Sequence, residues 1–214
     1  MLKLGRKTKD INMFLFKHRI LALAVLFTLL SACTTVTPPS PPATQIPWKN
    51  RELALNRIMG WEISGKIAVQ TAKDSGSANV DWMQNHGQYT VSLYGPLGAG
   101  GLKLIGHPGM VTMEASNGKR VTAKSPEQLL AQQWGWNLPV SSLSYWIRGL
   151  PVPGVPYSGH FDGYNRLSSL VQQGWNVQFL SYRNYGTVDL PDKLTIDSST
   201  LRSKIVIHQW KIEG

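Results

Sequence analysis

From residue 61 onward, apolar and polar side chains alternate in one short segment after another, which is the period of a strand with one buried face. Residues 61–70 read Trp-Glu-Ile-Ser-Gly-Lys-Ile-Ala-Val-Gln, and 78–82, 89–94 and 102–105 follow the same rule. Segments 110–115 and 119–123 flank Asn117-Gly118, the strongest short hairpin signal. After a Pro/Gly-rich stretch that reads as a loop, strand patterns return at 167–171, 175–182, 193–197 and 204–210. Connections this short suit antiparallel neighbours and not parallel crossovers.

Helical spacing is confined to three places. Residues 48–59 carry Leu53, Leu55, Ile58 and Met59 among charged side chains, an imperfect amphipathic face. Ser125-Pro126-Glu127-Gln128 supplies an N-cap, a first-turn proline and a capping-box glutamine, so a helix should run from there to about Gln133. A second mid-chain helix is expected over 141–148, stopped by Gly149 and Pro151. The chain therefore reads as a mainly β (α+β) domain, an antiparallel sheet with a helical insertion. Such a sheet must bury one face, and a few short helices cover a curved sheet incompletely, leaving room for an apolar cavity between the layers.

The front of the chain follows other rules. Lys3, Arg6, Lys7, Lys9, Lys17 and Arg19 precede residues 20–30, an uncharged and almost wholly apolar run. That run is shorter than the roughly 20 residues a spanning helix needs, and with its basic flank it reads as a secretory signal. It ends Leu30-Ser31-Ala32-Cys33, which resembles the lipobox of bacterial lipoproteins. The resemblance implies cleavage before Cys33, acylation of its thiol and of the new amino terminus, and, with Thr34 rather than Asp next, sorting to the outer membrane. Several acyl chains hold a membrane firmly where one binds only marginally. Residues 34–47 contain five prolines and no charge, a polyproline-like tether of roughly 40 Å at about 3.1 Å per residue. The expected organisation is a removed signal over 1–32, an acylated tether over 33–47 and a globular domain over 48–214.

This division changes the meaning of the charge. The 214 residues carry a net +10, a value that suggests nucleic acid or an anionic surface as partner. Six of the 22 basic and one of the 12 acidic residues lie before Cys33, so the mature chain keeps a moderate +5. No dense basic run remains and the compartment is an envelope, so nucleic acid is not expected.

Candidate chemistry is sparse. There is no G-x-S-x-G elbow, no H-E-x-x-H and no P-loop, and the glycine-rich run 95–101 lacks the dinucleotide-binding spacing. One cysteine excludes multi-cysteine metal sites, the histidines are scattered, and no carboxylate pair is set by spacing. Neither an enzyme nor a cofactor or metal is expected. Two features remain. Trp48, Trp82, Trp146, Trp175 and Trp210 are either plain core or the lining of an apolar pocket, since rigid aromatics dominate ligand-holding cavities. The loop Pro96-Leu97-Gly98 presents a leucine where a hairpin is normally polar. Leu97 either folds back into the core or dips into a bilayer, a burial worth about 1.5–3 kcal/mol.

Taken in order, these residues resemble the outer-membrane lipoprotein receptor LolB family. The resemblance rests on the lipobox cysteine, the Pro-rich tether, Trp48, Gly65, Trp82, Pro96-Leu97-Gly98, Pro108-Gly109 and Ser142-Leu143-x-x-Trp146-Ile147-x-Gly149-Leu150-Pro151. Tyr164-x-Arg166-Leu167, Trp175 and Trp210 complete it, and the added Gly100 and Gly101 depart from it. It implies an incomplete antiparallel barrel with helices as a lid, enclosing a cavity for the acyl chains of client lipoproteins. It also implies a LolA-like periplasmic carrier as donor, the outer-membrane phospholipid as acceptor, a monomer facing the periplasm, and a membrane-insertion role for Leu97. An envelope lipid- or glycolipid-binding lipoprotein without transfer, and a small envelope hydrolase, are the competing classes.

Overall fold

A computed structural model describes residues 45–95, 98 and 100–213. The signal, Cys33, most of the tether, Pro96 and Leu97 lie outside the described residues. Eleven strands form one sheet in two meanders. The first comprises β1 (Gly60–Thr71), β2 (Ser75–Asn85), β3 (Gln88–Tyr94), β4 (Gly101–His107), β5 (Met110–Ala115) and β6 (Arg120–Ala123). The second comprises β7 (Tyr157–Phe161), β8 (Leu167–Gln172), β9 (Trp175–Tyr185), β10 (Val188–Asp197) and β11 (Leu201–Ile212). Their spatial order is β6-β5-β4-β3-β2-β1-β11-β10-β9-β8-β7, so the two longest strands, β1 and β11, join the halves at the centre. All pairs are antiparallel and the edges β6 and β7 do not meet, which makes the sheet an open, unclosed barrel.

The period-two alternation turns one face of β1 to β4 and of β11 inward. Ile63, Ile67 and Val69 of β1, Val80 and Trp82 of β2, Val91 of β3 and Leu104 of β4 are buried, as are Ile205 and Ile207 of β11. The outer face keeps the polar set. Curvature is sharpened by a bulge between Ser64 and Gly65, where β11 spends an extra residue. At Gly65 the strands approach so closely that a Cβ would lie 2.1 Å from the Val206 carbonyl oxygen. Only glycine fits there. On β4, the ring of Tyr89 lies over Gly106, occupying the space of its absent side chain.

Among the described residues three helices, α1 (Trp48–Asn56), α2 (Pro126–Trp134) and α3 (Val140–Trp146), accompany the sheet. The start of α2 is as the sequence dictates: Ser125 Oγ accepts from the Gln128 N–H at 3.2 Å and Pro126 opens the first turn. The glutamine reaches back to the Lys124 N–H, one residue before the cap. Gly135, at φ +68°, closes the helix in the left-handed region. Glu127 then accepts the Ser141 N–H at 2.7 Å, so the first turn of α2 caps α3. No helix among the described residues is long and apolar enough to cross a membrane.

Three expectations shift. The first helix ends at Asn56 rather than 59, because the Ile58 N–H bonds Leu55 in a tighter turn and the chain then enters β1. The mid-chain helix α3 spans Val140–Trp146, short of 148, because Arg148 and Gly149 turn the chain out, with Gly149 at φ +78°. The Pro/Gly-rich loop contains a further strand, β7, whose Tyr-Ser-Gly-His-Phe has no buried face of its own and is extended by pairing with β8.

Candidate functional site: an apolar cavity under the helices

The inward faces of β1 to β4 and of β11 diverge from α2 and α3 around a cavity of about 290 Å³. Its floor is the alternating set Ile63, Ile67, Val69, Val80, Trp82, Val91, Leu104 and Ile205, and its roof is Leu130, Trp136, Leu138, Val140, Leu143 and Ile147. Among the described residues no charged side chain lines it, and Ser77 brings the only hydroxyl. A site of this composition solvates hydrocarbon; it holds no acid, base or nucleophile positioned for proton transfer at a bound molecule.

One end of the cavity reaches the surface. Gly76 and Ser77, both exposed, lie on its wall just past the turn between β1 and β2. Leu93 and Leu102, which face each other across β3 and β4, form the wall beside them. The connection from Gly95 to Gly100 springs from those two strand ends, so the loop that carries Leu97 in the sequence starts at the cavity rim. Within it Gly98 is exposed at φ +75°, its N–H bonded to the Gly95 carbonyl at 3.2 Å.

Of the five tryptophans singled out in the sequence, the structure brings Trp82 to this cavity. The other four sit elsewhere, used in packing. Trp146 is fully buried and donates to Gln172 Oε1 at 3.0 Å, with the Trp175 ring 6.5 Å away. Trp210 donates to the Pro191 carbonyl at 3.0 Å and packs on Trp61 at 5.4 Å. Trp48 packs on Phe161 at 5.1 Å. Sequence reasoning missed Trp136 and Leu138, which stand in the connection between α2 and α3. The only local sign of them is that two large apolar residues follow the Gly135 helix stop.

Polar chemistry gathers outside the cavity. Arg51 of α1 and Asp189 of β10 form a buried pair at 3.1 Å, only 3% and 4% exposed. Arg51 also donates to the Tyr164 carbonyl at 3.2 Å, and Asn184 donates to Asp189 at 3.0 Å. Arg166 binds Asp162 at 2.7 Å and lies over the rings of Tyr164 and Tyr182. Burial pushes the Asp162 carboxyl up, but bonds from the Arg166 backbone and guanidinium and from the Tyr164 N–H outweigh it and hold it below the usual range. Arg148, at the end of α3, donates to the Ile58 carbonyl at 3.0 Å and the Leu55 carbonyl at 3.4 Å, tying the exit of α1 to the insertion. Among the described residues no three His, Cys, Asp or Glu side chains gather as a metal cluster.

Tyr89 makes a measurable marker of the sheet beside Trp82. Its hydroxyl is buried without a partner, and burial, then the charge of Glu127, push it up to about 12. Because the folded value is raised, stability is unaffected below the unfolded value near 10 and falls as pH climbs from there through about 12. Urea titrations at stepped alkaline pH should show this decline in the wild type and less of it in Tyr89→Phe. Identical alkaline profiles would contradict it.

The family described as Outer membrane lipoprotein LolB matches residues 59–210. A protein named Outer-membrane lipoprotein LolB from Pseudomonas syringae pv. syringae (strain B728a) is 40% identical over 191 residues, 87% of this chain and 92% of its own. One of the same name from Coxiella burnetii (strain RSA 493 / Nine Mile phase I) is 39% identical over 194 residues, 89% of this chain and 92% of its own. Among solved structures, a DUF1329 family protein from Desulfovibrio piger ATCC 29098 superposes with a TM-score of 0.52 at 4% identity, covering 78% of this chain and 92% of that one. That likeness shows a shared fold and no more.

Proposed function

The chain belongs to the outer membrane lipoprotein LolB family, and from that premise we infer that its cavity takes up the acyl chains of client lipoproteins. The protein is an outer-membrane lipoprotein and a receptor in lipoprotein localisation. The observation that carries the acyl-chain reading is the cavity lining, apolar on floor and roof and, among the described residues, free of charge. Hydrocarbon asks for apolar area and shape, not for a reacting group.

In this reading a LolA-like carrier delivers the client and the outer-membrane phospholipid receives it. The mature chain acts as a monomer, held by acylated Cys33 on the Pro-rich tether. Transfer without a nucleotide needs only a descending series of free energies from donor to cavity to bilayer. A differential of about 1.4 kcal/mol gives a tenfold bias at each step. Leu97, on the connection that begins at the cavity rim, assists release by entering the bilayer.

The test uses acyl chains carrying a fluorescence quencher, titrated into the mature protein. Trp82 and Trp136 border the cavity and should be quenched. Ala78→Phe, which places a ring in the space beside the exposed wall, should weaken uptake by about tenfold. Quenching absent in the wild type, or unchanged in Ala78→Phe, would refute acyl binding here. Leu97→Glu should keep uptake and lose release into liposomes; equal release by mutant and wild type would remove the loop from the mechanism.

A further inference from the structure

The sheet face turned away from the helices brings three lysines close together among acids that each have another partner. In the central ladders Lys66 stands opposite Val206, and Val206 stands opposite Lys193. Two residues along β11, Lys204 lies between Ala68 and Thr195. Strands about 4.8 Å apart, with roughly 6.8 Å between same-face residues, place the three Cα atoms within about 10 Å of one another. Lys66 and Lys204 are exposed and Lys193 is half-buried.

The acids around them are already held. Asp197 binds Arg202 at 2.6 Å, Asp192 binds Arg183 at 3.4 Å, Glu62 binds Lys211 at 2.8 Å and Asp81 accepts from Tyr94 at 2.8 Å. Among the described residues none of the three lysines enters an ion pair. Three like charges this close on one face repel one another, and an external anion relieves that repulsion.

We propose that Lys66, Lys193 and Lys204 form a docking face for an anionic phospholipid surface, an inference that rests on the outer-membrane reading above. The residues between the lysines decide against a protein partner. Ala68, Thr195, Asn79 and Val206 offer no aromatic ring, no arginine and no bulky apolar anchor, whereas the cores of protein interfaces are depleted in lysine and enriched in those groups. Headgroups are mobile and meet such a patch by charge alone.

The experiment reconstitutes the mature acylated protein into vesicles of phosphatidylcholine alone, or with a quarter of phosphatidylglycerol, and follows amine acetylation residue by residue. On the anionic vesicles Lys66, Lys193 and Lys204 should react at least about fivefold more slowly, with reactivity restored at high salt. Lys119 and Lys124, beside β6, should react alike on both. Equal reactivity of the three lysines on both vesicles overturns the proposal. So does protection that appears only when a carrier is added, which assigns the face to a protein. Client uptake measured on the same vesicles reads the receptor assignment separately: uptake without lysine protection defeats the docking face alone, and no uptake on either vesicle defeats the receptor reading.

Discussion

Gly65→Val is expected to unfold most of the protein at temperatures where the wild type is intact, and Gly65→Ala to lower its melting temperature substantially. A Cβ at this position would sit 2.1 Å from the Val206 carbonyl oxygen and 3.0 Å from the Ile207 Cα. Both are backbone atoms of the strand paired with β1, so no side-chain rotation relieves the clash. Relief requires parting the central ladder of the sheet. Overpacking costs about 1–3 kcal/mol in ordinary cores, and the upper end applies here because the obstacle is main chain. In a domain of this size about 3 kcal/mol corresponds to roughly 6–12 °C. Gly76→Ala is the control: its Cβ would meet nothing within 4 Å, so the substitution should be neutral or mildly stabilising. Thermal unfolding of the three variants beside the wild type checks the claim, and a Gly65→Ala protein that melts with the wild type would show that the strands separate at no cost.

Arg51→Ala should cost about 3 kcal/mol, the lower end of the 3–5 kcal/mol typical of breaking a buried ion pair. The loss comes mainly from what is left behind. Asp189 is 4% exposed and would keep only Asn184 at 3.0 Å and the more distant Arg166 at 3.9 Å. Arg166 is partly spent on Asp162, so it compensates incompletely. The double variant Arg51→Met with Asp189→Leu removes both charges and should recover most of the stability, because apolar replacements of a buried pair are often neutral. Urea midpoints for the wild type, Arg51→Met, Asp189→Leu and the double variant give the coupling directly. If the double variant is no more stable than Arg51→Ala, the pair contributes more than the stranded charge, and the desolvation account fails.

The elements legible in the sequence are those whose signal is local. The capping residues of α2, the Asn117-Gly118 hairpin and the alternation of β1 to β6 each depend on neighbours within a few positions, and each is found where its residues predict. The cavity floor was legible in the same way, because the strand period puts Val80 with Trp82 and Leu102 with Leu104 on one face. Elements that depend on distant partners were not. Nothing in Tyr157–Phe161 announces a strand until β8 is beside it. The tie between Arg51 and Asp189 spans 138 positions and leaves no periodic trace. The tryptophans drew attention by size, yet Trp146 and Trp210 use their N–H groups on Gln172 and Pro191 inside the packing. The space next to the helices is walled chiefly by aliphatic side chains.

The strand order has a consequence for how the chain comes to be folded. Within each meander every ladder joins neighbours in sequence, so hairpins close over short loops. The ladder of β1 with β11 is different: Ile67 meets Ile205 across almost the entire domain. Its loop-closure entropy is the largest in the molecule, and contacts of this range slow folding. The first strand to leave a translocation channel therefore has one edge unsatisfied until the last strand has followed it. During that interval an unpaired edge and half of an apolar face are exposed, the condition under which chains associate wrongly. The same two strands that join the finished sheet at its centre thus define its most vulnerable moment.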